Sequence, residues 1–189
     1  MSNEIPRRPD NETDARAAIE RNPQSGLAYY HLGLLLAQDP TRLDETEAAY
    51  RQAVALEPEN PRYIYRLGLF LHENLQRLDE AERAYRRAIA LAPADPFVYG
   101  GLVSLLMQQA RRSDALALSQ QMRALLEAQA NWYGLATLDA ILGNGNTALE
   151  HLQQAANGEN FNREWARIDP DLAAIRDDPR FAAIVSNQS

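Results

Sequence analysis

The feature that most limits the possible folds is a near-duplication within the chain. Residues 42–61 read RLDETEAAYRQAVALEPENP, and residues 77–96, thirty-five positions later, read RLDEAERAYRRAIALAPADP. When residues 26–60 are aligned with 61–95, roughly half of the positions are identical, as expected for an internal repeat. The coinciding pairs include Tyr30/Tyr65, Leu32/Leu67, Gly33/Gly68, Tyr50/Tyr85, Ala53/Ala88 and Pro58/Pro93. A fixed period of this length predicts stacked copies of one supersecondary unit.

Each copy has the pattern of two helices. In the second copy, Asn60 is an N-cap residue type and precedes a proline, which is tolerated at the first helical position. An apolar stripe then follows at helical spacing, formed by Ile64, Leu67, Gly68 and Leu71. The stripe breaks near Asn74, and a second helix is predicted to start at Asp79, as its cap, and to end before Pro93. Neither helix can bury its stripe alone, so the copies are predicted to stack.

These spaced residues resemble the tetratricopeptide-repeat family. The family pattern is an aromatic, Leu-Gly three and four positions on, a small residue opening the second helix, an aromatic four positions later, an alanine three later and a closing proline. The second copy supplies Ile64, Leu67, Gly68, Ala81, Tyr85, Ala88 and Pro93, and the first supplies Tyr29, Leu32, Gly33, Thr46, Tyr50, Ala53 and Pro58. A third copy departs from the pattern, with Val103 in place of the glycine and Glu127 in place of the proline. A fourth copy fits from Trp132 to Ala155.

The resemblance implies an all-α fold, a right-handed superhelix of stacked antiparallel helix pairs with about four repeats. The predicted organisation is a flexible N-terminal tail over 1–11 and a single solenoid domain over 12–185. The domain is divided into a partial repeat at 12–25, repeats at 26–60, 61–95, 96–128 and 129–160, and a C-terminal cap at 161–185. The cap is expected to cover the open end of the last repeat with Trp165, Leu172, Ile175, Phe181, Ile184 and Val185.

In the family, the first helix of each pair lines the inner surface of the superhelix. Carrying those positions over gives a candidate partner groove formed by Leu27, Tyr30, Leu34, Gln38, Arg62, Tyr65, Leu69, His72, Glu73, Phe97, Ser104, Met107, Gln108 and Tyr133, with Thr137 beside them. Leu27, Tyr30 and Leu34 lie on a different helical face from the main stripe, which is consistent with this reading. The second face could instead pack against the next repeat. Tyr30 and Tyr65 are the candidates expected to be exposed, because tyrosine suits a binding surface.

Composition narrows the partners. The chain carries 26 acidic and 19 basic residues, a net charge of −7, and an acidic chain is repelled by phosphate backbones and anionic lipids. No nucleic-acid or membrane partner is therefore expected. The absence of cysteine excludes disulfides and zinc–thiolate sites and is consistent with a cytoplasmic location.

An enzyme is the least favoured reading. The histidines His31, His72 and His151 fall at unrelated repeat positions without metal-ligand spacing, and no glycine-rich phosphate loop is present. No catalytic residue, cofactor or metal is expected. His72, beside Glu73, is predicted to be a polar groove contact, and His31 and His151 are predicted to be ordinary surface residues.

The resemblance favours a non-catalytic scaffold that binds a peptide or helix of a partner protein in the groove. The alternative is a self-associating assembly module, a homo-oligomer, in which Val103 and Glu127 mark a seam where another subunit docks. The identity of the partner is not written in the sequence, because fold does not determine what a groove recognises.

Overall fold

The computed structural model describes residues 11–186, and all regular structure in that range is helical. The helices are α1 (Glu12–Arg21), α2 (Gly26–Leu36), α3 (Leu43–Leu56), α4 (Pro61–Glu73), α5 (Leu78–Leu91), α6 (Gly100–Gln108), α7 (Arg112–Ala128), α8 (Trp132–Ile141), α9 (Gly145–Ala156), α10 (Arg163–Ile168) and α11 (Pro179–Ser186). Short 3₁₀ helices span Pro96–Val98 and Pro170–Ile175. The predicted all-α architecture is confirmed. The predicted tail lies outside the described residues, except for Asn11, which caps α1.

The chain divides into two compact units, the first ending at Pro93 and the second beginning at Ala94. In the first unit each helix from α1 to α5 packs on the next one in sequence. In the second unit α6 packs on α7 and α8 packs on α9, and the segment after α9 packs on α8 and α9. Each predicted repeat range thus contains two helices, whereas the single domain and the number of repeats stay predictions.

The helix starts follow from local chemistry. The Oδ1 atom of Asn60 accepts the backbone N–H of Arg62 at 3.2 Å, and Pro61 is the first residue of α4, as predicted. The prediction that Asp79 caps α5 is wrong, because α5 begins one residue earlier, at Leu78, and its N-cap position makes no side-chain hydrogen bond. Asp79 lies in the first turn, where its negative charge is favourable to the helix dipole.

The repeated glycines allow a close approach between the two helices of a pair. A Cβ atom added at Gly33 would lie 2.6 Å from Cε1 of Tyr50 in α3. At the equivalent Gly68, an added Cβ would lie 3.1 Å from both the Tyr85 ring and the Cβ of Ala84 in α5. Both tyrosine rings are almost completely buried. The glycine and the aromatic of the repeat pattern are therefore two sides of one contact, because the ring occupies the space that a side chain would need.

A charged network links α1, α3 and α5, which are the second helices of the pairs in the first unit. The network recurs with the sequence period. Arg42 lies 2.6 Å from Glu12 and 2.7 Å from Glu45, and thirty-five positions later Arg77 lies 2.6 Å from Glu47 and 2.5 Å from Glu80. Arg16 and Arg51 complete the two networks. Exposed ion pairs stabilise weakly one at a time. Here they link α1 to α3 and α3 to α5, so they favour one register between successive copies.

The C-terminal cap closes the core of the second unit. Leu172, Ile175, Phe181, Ile184 and Val185 are buried in one apolar cluster with side chains of α8 and α9. The prediction for Trp165 is wrong, because 50% of its surface is exposed. The short α10 buries Ala166 instead, so Trp165 and Ile168 are left at the surface.

Several helices of the chain end in a left-handed residue. Gly143 follows α8 with φ of 82°, a conformation that glycine adopts without strain. Ala110 and Ala130 adopt φ of 58° and 49° after α6 and α7, although the left-handed conformation is unfavourable for alanine. In each case the following N–H bonds the carbonyl five residues back, as in Arg111 to Leu106 at 2.9 Å.

Candidate functional site

The predicted groove positions of the first unit lie on α2 and α4, the first helices of its two complete pairs. The rings of Tyr30 and Tyr63 stack with centroids 4.9 Å apart, which places α2 against α4. We define the first-helix surface as the accessible predicted positions of this unit. Three of its members are apolar and half-buried, namely Leu27, Leu34 and Leu69, and three are polar and exposed, namely Gln38, Arg62 and Glu73.

The expectation that Tyr30 and Tyr65 are exposed is wrong. Their exposed fractions are 7% and 8%. Tyr30 packs between repeats, against Tyr63 and, at 6.4 Å, against Tyr50. The Tyr65 ring lies 5.5 Å from that of Tyr85. Their apolar rings are therefore part of the packing between helices, which was the alternative that the sequence left open.

His72 is also buried, with 6% of its surface exposed, so the prediction of a groove contact is wrong for this residue. Its Nδ1 atom lies 3.4 Å from the hydroxyl of Tyr85, and the two rings meet edge to face. The neighbouring Glu73 is exposed, because successive residues of a helix point about 100° apart. His72 belongs to the polar packing between α4 and α5.

The second unit carries the remaining predicted groove positions. Phe97 is 46% exposed in the 3₁₀ helix before α6. On α6, Ser104 and Met107 are half-buried and Gln108 is exposed. On α8, the neighbouring Thr137 is buried and donates a hydrogen bond to the carbonyl of Gly134.

Tyr133, the last predicted groove position, is oriented by the C-terminal cap. Its hydroxyl donates a 2.5 Å hydrogen bond to Oδ2 of Asp169, and its ring lies 6.1 Å from that of Phe161. Burial and the hydrogen bond to Asp169 raise the pKa of the Tyr133 hydroxyl well above its ordinary value. Tyr133 is therefore a neutral, fixed side chain. The carboxylate of Asp169 also accepts the N–H of Asp171, so it holds α8 to the cap.

A cavity that the sequence did not predict lies in the second unit, between the start of α8, the end of α9 and α10. Its volume is about 380 Å³. Its lining includes Asn131, Trp132, Tyr133, Gln154, Glu159, Asn160, Phe161, Asn162 and Trp165. We call it the tryptophan pocket, because both tryptophans of the chain line it and are 42% and 50% exposed. Trp132 occupies the repeat's aromatic position, so the pattern assigned it to packing. The only two tryptophans of the chain were the signal in the sequence that could have indicated this pocket.

A buried carboxyl group, that of Asp139, contacts the histidine that stacks on Trp132, and the sequence did not indicate it either. Asp139 is 1% exposed, and its carboxylate accepts hydrogen bonds from Arg123 at 2.5 Å and Asn144 at 3.2 Å. The carboxylate also lies 2.9 Å from Nδ1 of His151, whose ring stacks on Trp132. His151 is thus half-buried in a network rather than an ordinary surface residue. The network joins α7, α8 and α9, and it orients the Trp132 ring through His151.

Within residues 11–186, no group of three or more histidine, cysteine or acidic side chains is arranged to hold a metal ion. Over the same described range, no helix is both long and apolar enough to cross a membrane.

Comparisons with known proteins agree with this geometry. The sequence model of the tetratricopeptide repeat matches residues 61–95. Among solved structures, PilF of Pseudomonas aeruginosa is 22% identical with a TM-score of 0.60, over 92% of this chain and 79% of that one. A tetratricopeptide-repeat protein of Thermus thermophilus is 21% identical with a TM-score of 0.62, over 92% and 88%. YrrB is 22% identical with a TM-score of 0.52, over 77% and 75%. No curated protein sequence matches the chain significantly.

Proposed function

We propose that this chain, whose residues 61–95 match the tetratricopeptide-repeat model and whose fold resembles that of solved tetratricopeptide-repeat proteins, is a non-catalytic scaffold that binds a peptide or a helix of a partner protein. The proposed binding face in the first unit is the first-helix surface. Phe97, Ser104, Met107, Gln108 and Tyr133 are the corresponding positions of the second unit.

Two similar solved structures support a protein partner. YrrB is described as a tetratricopeptide-repeat protein with an unusual peptide-binding site. Cut9 is described in a hetero-tetramer with Hcn1, and it has a TM-score of 0.63 over 94% of this chain and 37% of its own. Both comparisons establish likeness of fold alone, and a protein partner for this chain is our proposal.

Three leucines of the predicted groove stay partly accessible on α2 and α4 after each helix has buried its main stripe, and they are the main support for the proposed face. Leu27 and Leu34 are seven residues apart and therefore lie on one side of α2, about 10 Å along it. Leu69 occupies the position of Leu34 in the next copy. Exposed Arg62 and Glu73 provide one charge of each sign on α4. Apolar anchors with polar neighbours suit the apolar face of an amphipathic segment.

The test must not unfold the protein, so the buried Tyr30 and Tyr65 are unsuitable for it. The double variant Leu34→Gln/Leu69→Gln changes only half-buried side chains on the proposed face. The matched control is Leu91→Gln, at a leucine 40% exposed in α5. Partners captured from lysate by the native chain should be lost by the double variant and kept by the control. A purified partner should bind the native chain and the control with similar affinity and the double variant more weakly. Equal binding by all three proteins would refute the proposed face.

Self-association is the alternative function. The seam suggested for it is not supported, because Val103 is fully buried within its own unit, although Glu127 is exposed. Light scattering across a range of concentrations separates the two functions. We expect a mass of one chain throughout, and a concentration-dependent increase would favour assembly. A cytoplasmic location stays a prediction.

A further inference from the structure

We propose that the tryptophan pocket is a second binding site, separate from the first-helix surface, and that it takes an extended, proline-containing segment of a partner protein. The pocket is built within the second unit alone, around Trp132 and Trp165. Its volume of about 380 Å³ falls in the range of sites for small ligands and side chains. Failure of this proposal would therefore leave the proposed function of the first unit untouched.

The pocket exposes an aromatic surface. Trp132 and Trp165 are both close to half exposed, although tryptophan usually loses most of its surface on folding. Ile168 lies one turn beyond Trp165 on α10 and is 68% exposed. The apolar surface thus continues out of the pocket along α10. Aromatic-lined surfaces of this kind accept the flat faces of proline rings in polyproline II segments.

The pocket also carries polar groups whose orientation is fixed by capping hydrogen bonds. The Oδ1 atoms of Asn131 and Asn162 accept the backbone N–H groups of Gly134 and Trp165, at 2.9 Å in both cases. These caps fix the orientation of both amides, and their Nδ2 donors make no hydrogen bond within residues 11–186. Asn160 and Gln154 add further amide groups at the rim. The two fixed Nδ2 groups are donors, which favours a ligand that offers acceptors.

A proline-containing segment matches this pattern, because proline keeps its carbonyl acceptor and has no N–H donor. A quaternary ammonium would need the aromatic faces. The guanidinium of Arg163 already lies over the Phe161 ring, 5.3 Å from its centroid, and would repel such a cation. Glu159 is the one carboxylate among the lining residues and would attract a cation, so a quaternary ammonium is kept as a competing ligand in the titration.

The placement of the tryptophans provides the assay. Since the chain has two tryptophans and both line this pocket, its intrinsic fluorescence reports on this site. Titration of the full chain with a capped hexaproline peptide should change the emission to saturation, and a glycine-serine peptide of equal length should not. Absence of a saturable change with hexaproline overturns the proposal. Saturation by tetramethylammonium but not by hexaproline also overturns it.

Calorimetry of variants tests the aromatic contact and the amide donors separately. Trp165→Ala should weaken hexaproline binding about tenfold or more, as expected for an aromatic anchor, while Leu116→Ala, at a leucine 40% exposed in α7, should not. Asn162→Asp keeps a capping oxygen for α10 but replaces the free donor with an acceptor. It should weaken hexaproline binding with circular dichroism unchanged. Unchanged or tighter binding by Asn162→Asp overturns the donor argument and the choice of ligand.

The chain's own sequence offers one competing occupant, the stretch IPRRP at residues 5–9. The full-length double variant Pro6→Ala/Pro9→Ala distinguishes it from a partner's segment. Unchanged tryptophan emission and unchanged hexaproline affinity support a partner's segment as the occupant. Altered emission together with tighter hexaproline binding would assign the pocket to residues 5–9 and overturn the proposal.

Discussion

The substitution Gly33→Ala tests the contact that defines each helix pair. Alanine is the better helix former, by about 1 kcal/mol, so in an isolated helix the change would stabilise α2. In the folded protein the new methyl group would lie 2.6 Å and 2.7 Å from Cε1 and Cδ1 of Tyr50. The Tyr50 ring is 3% exposed and is held between Tyr30 and Phe70, with centroids 6.4 Å and 5.8 Å away. The ring therefore has little freedom to move aside.

The net effect follows from two opposing free energies. Insertion of a methyl group into a packed core costs about 1–3 kcal/mol, and the gain in helix propensity offsets about 1 kcal/mol of it. We expect Gly33→Ala to lower the free energy of unfolding by up to about 2 kcal/mol. Gly68→Ala is the matched comparison, because its added Cβ approaches neighbouring atoms only to 3.1 Å. We expect its free energy of unfolding to change by less than about 1 kcal/mol, since a shift of a few tenths of an ångström relieves the contact.

Urea unfolding followed by circular dichroism measures both variants against the native chain. The reasoning predicts a lower midpoint for Gly33→Ala and a midpoint near that of the native chain for Gly68→Ala. A stabilised Gly33→Ala protein, or a larger loss for Gly68→Ala than for Gly33→Ala, would show that close packing against the tyrosine ring is not what keeps glycine at these positions.

Three further predictions concern the charged groups and the helix ends. Asp139→Asn should lower the free energy of unfolding by about 1–3 kcal/mol, because the guanidinium of Arg123 loses its buried carboxylate; thermal unfolding measures the loss, and an unchanged midpoint would contradict it. Ala110→Gly should raise the free energy of unfolding by about 0.5–1 kcal/mol in urea titrations, because glycine relieves the positive φ; destabilisation would contradict that account. The pKa of Glu12 is lowered from 4.5 to about 2 by its hydrogen bonds to Arg42 and Arg16, so its contribution to stability is complete above pH 4.5 and is lost as the pH falls towards 2. The melting temperature of Glu12→Gln should therefore fall less between pH 5 and 2 than that of the native chain, and parallel curves would refute the linkage.

The sequence predicted the helix pairs because their determinants are local. The cap at Asn60, the proline at the next position and the glycine at Gly68 each act within a few residues or within one helix pair. Even the periodic ion pairs follow from the repeat, since Arg42 and Arg77 occupy the same position of the duplicated stretch. A 35-residue period therefore carried most of the information about the fold.

The exposure of individual side chains could not be predicted in the same way. A second apolar stripe on a helix fits a neighbouring helix as well as a ligand, so Tyr30 and Tyr65 were assigned to the surface although they pack inside. Their burial depends on the distance between repeats, which the pattern does not encode. The exposure of Trp165 depends on which side of the short α10 packs inward, and no periodicity extends to that segment.

The central claim is that a partner segment lies on α2 and α4, and site-specific photo-crosslinking tests it most directly. A photoreactive phenylalanine analogue placed at Leu34 or Leu69 reports on the first-helix surface, and the same analogue at the exposed Gln52 or Arg83 reports on the second helices. Our account predicts that a captured partner crosslinks from positions 34 and 69 and not from 52 and 83. Crosslinks from 52 or 83, with none from 34 or 69, would contradict it.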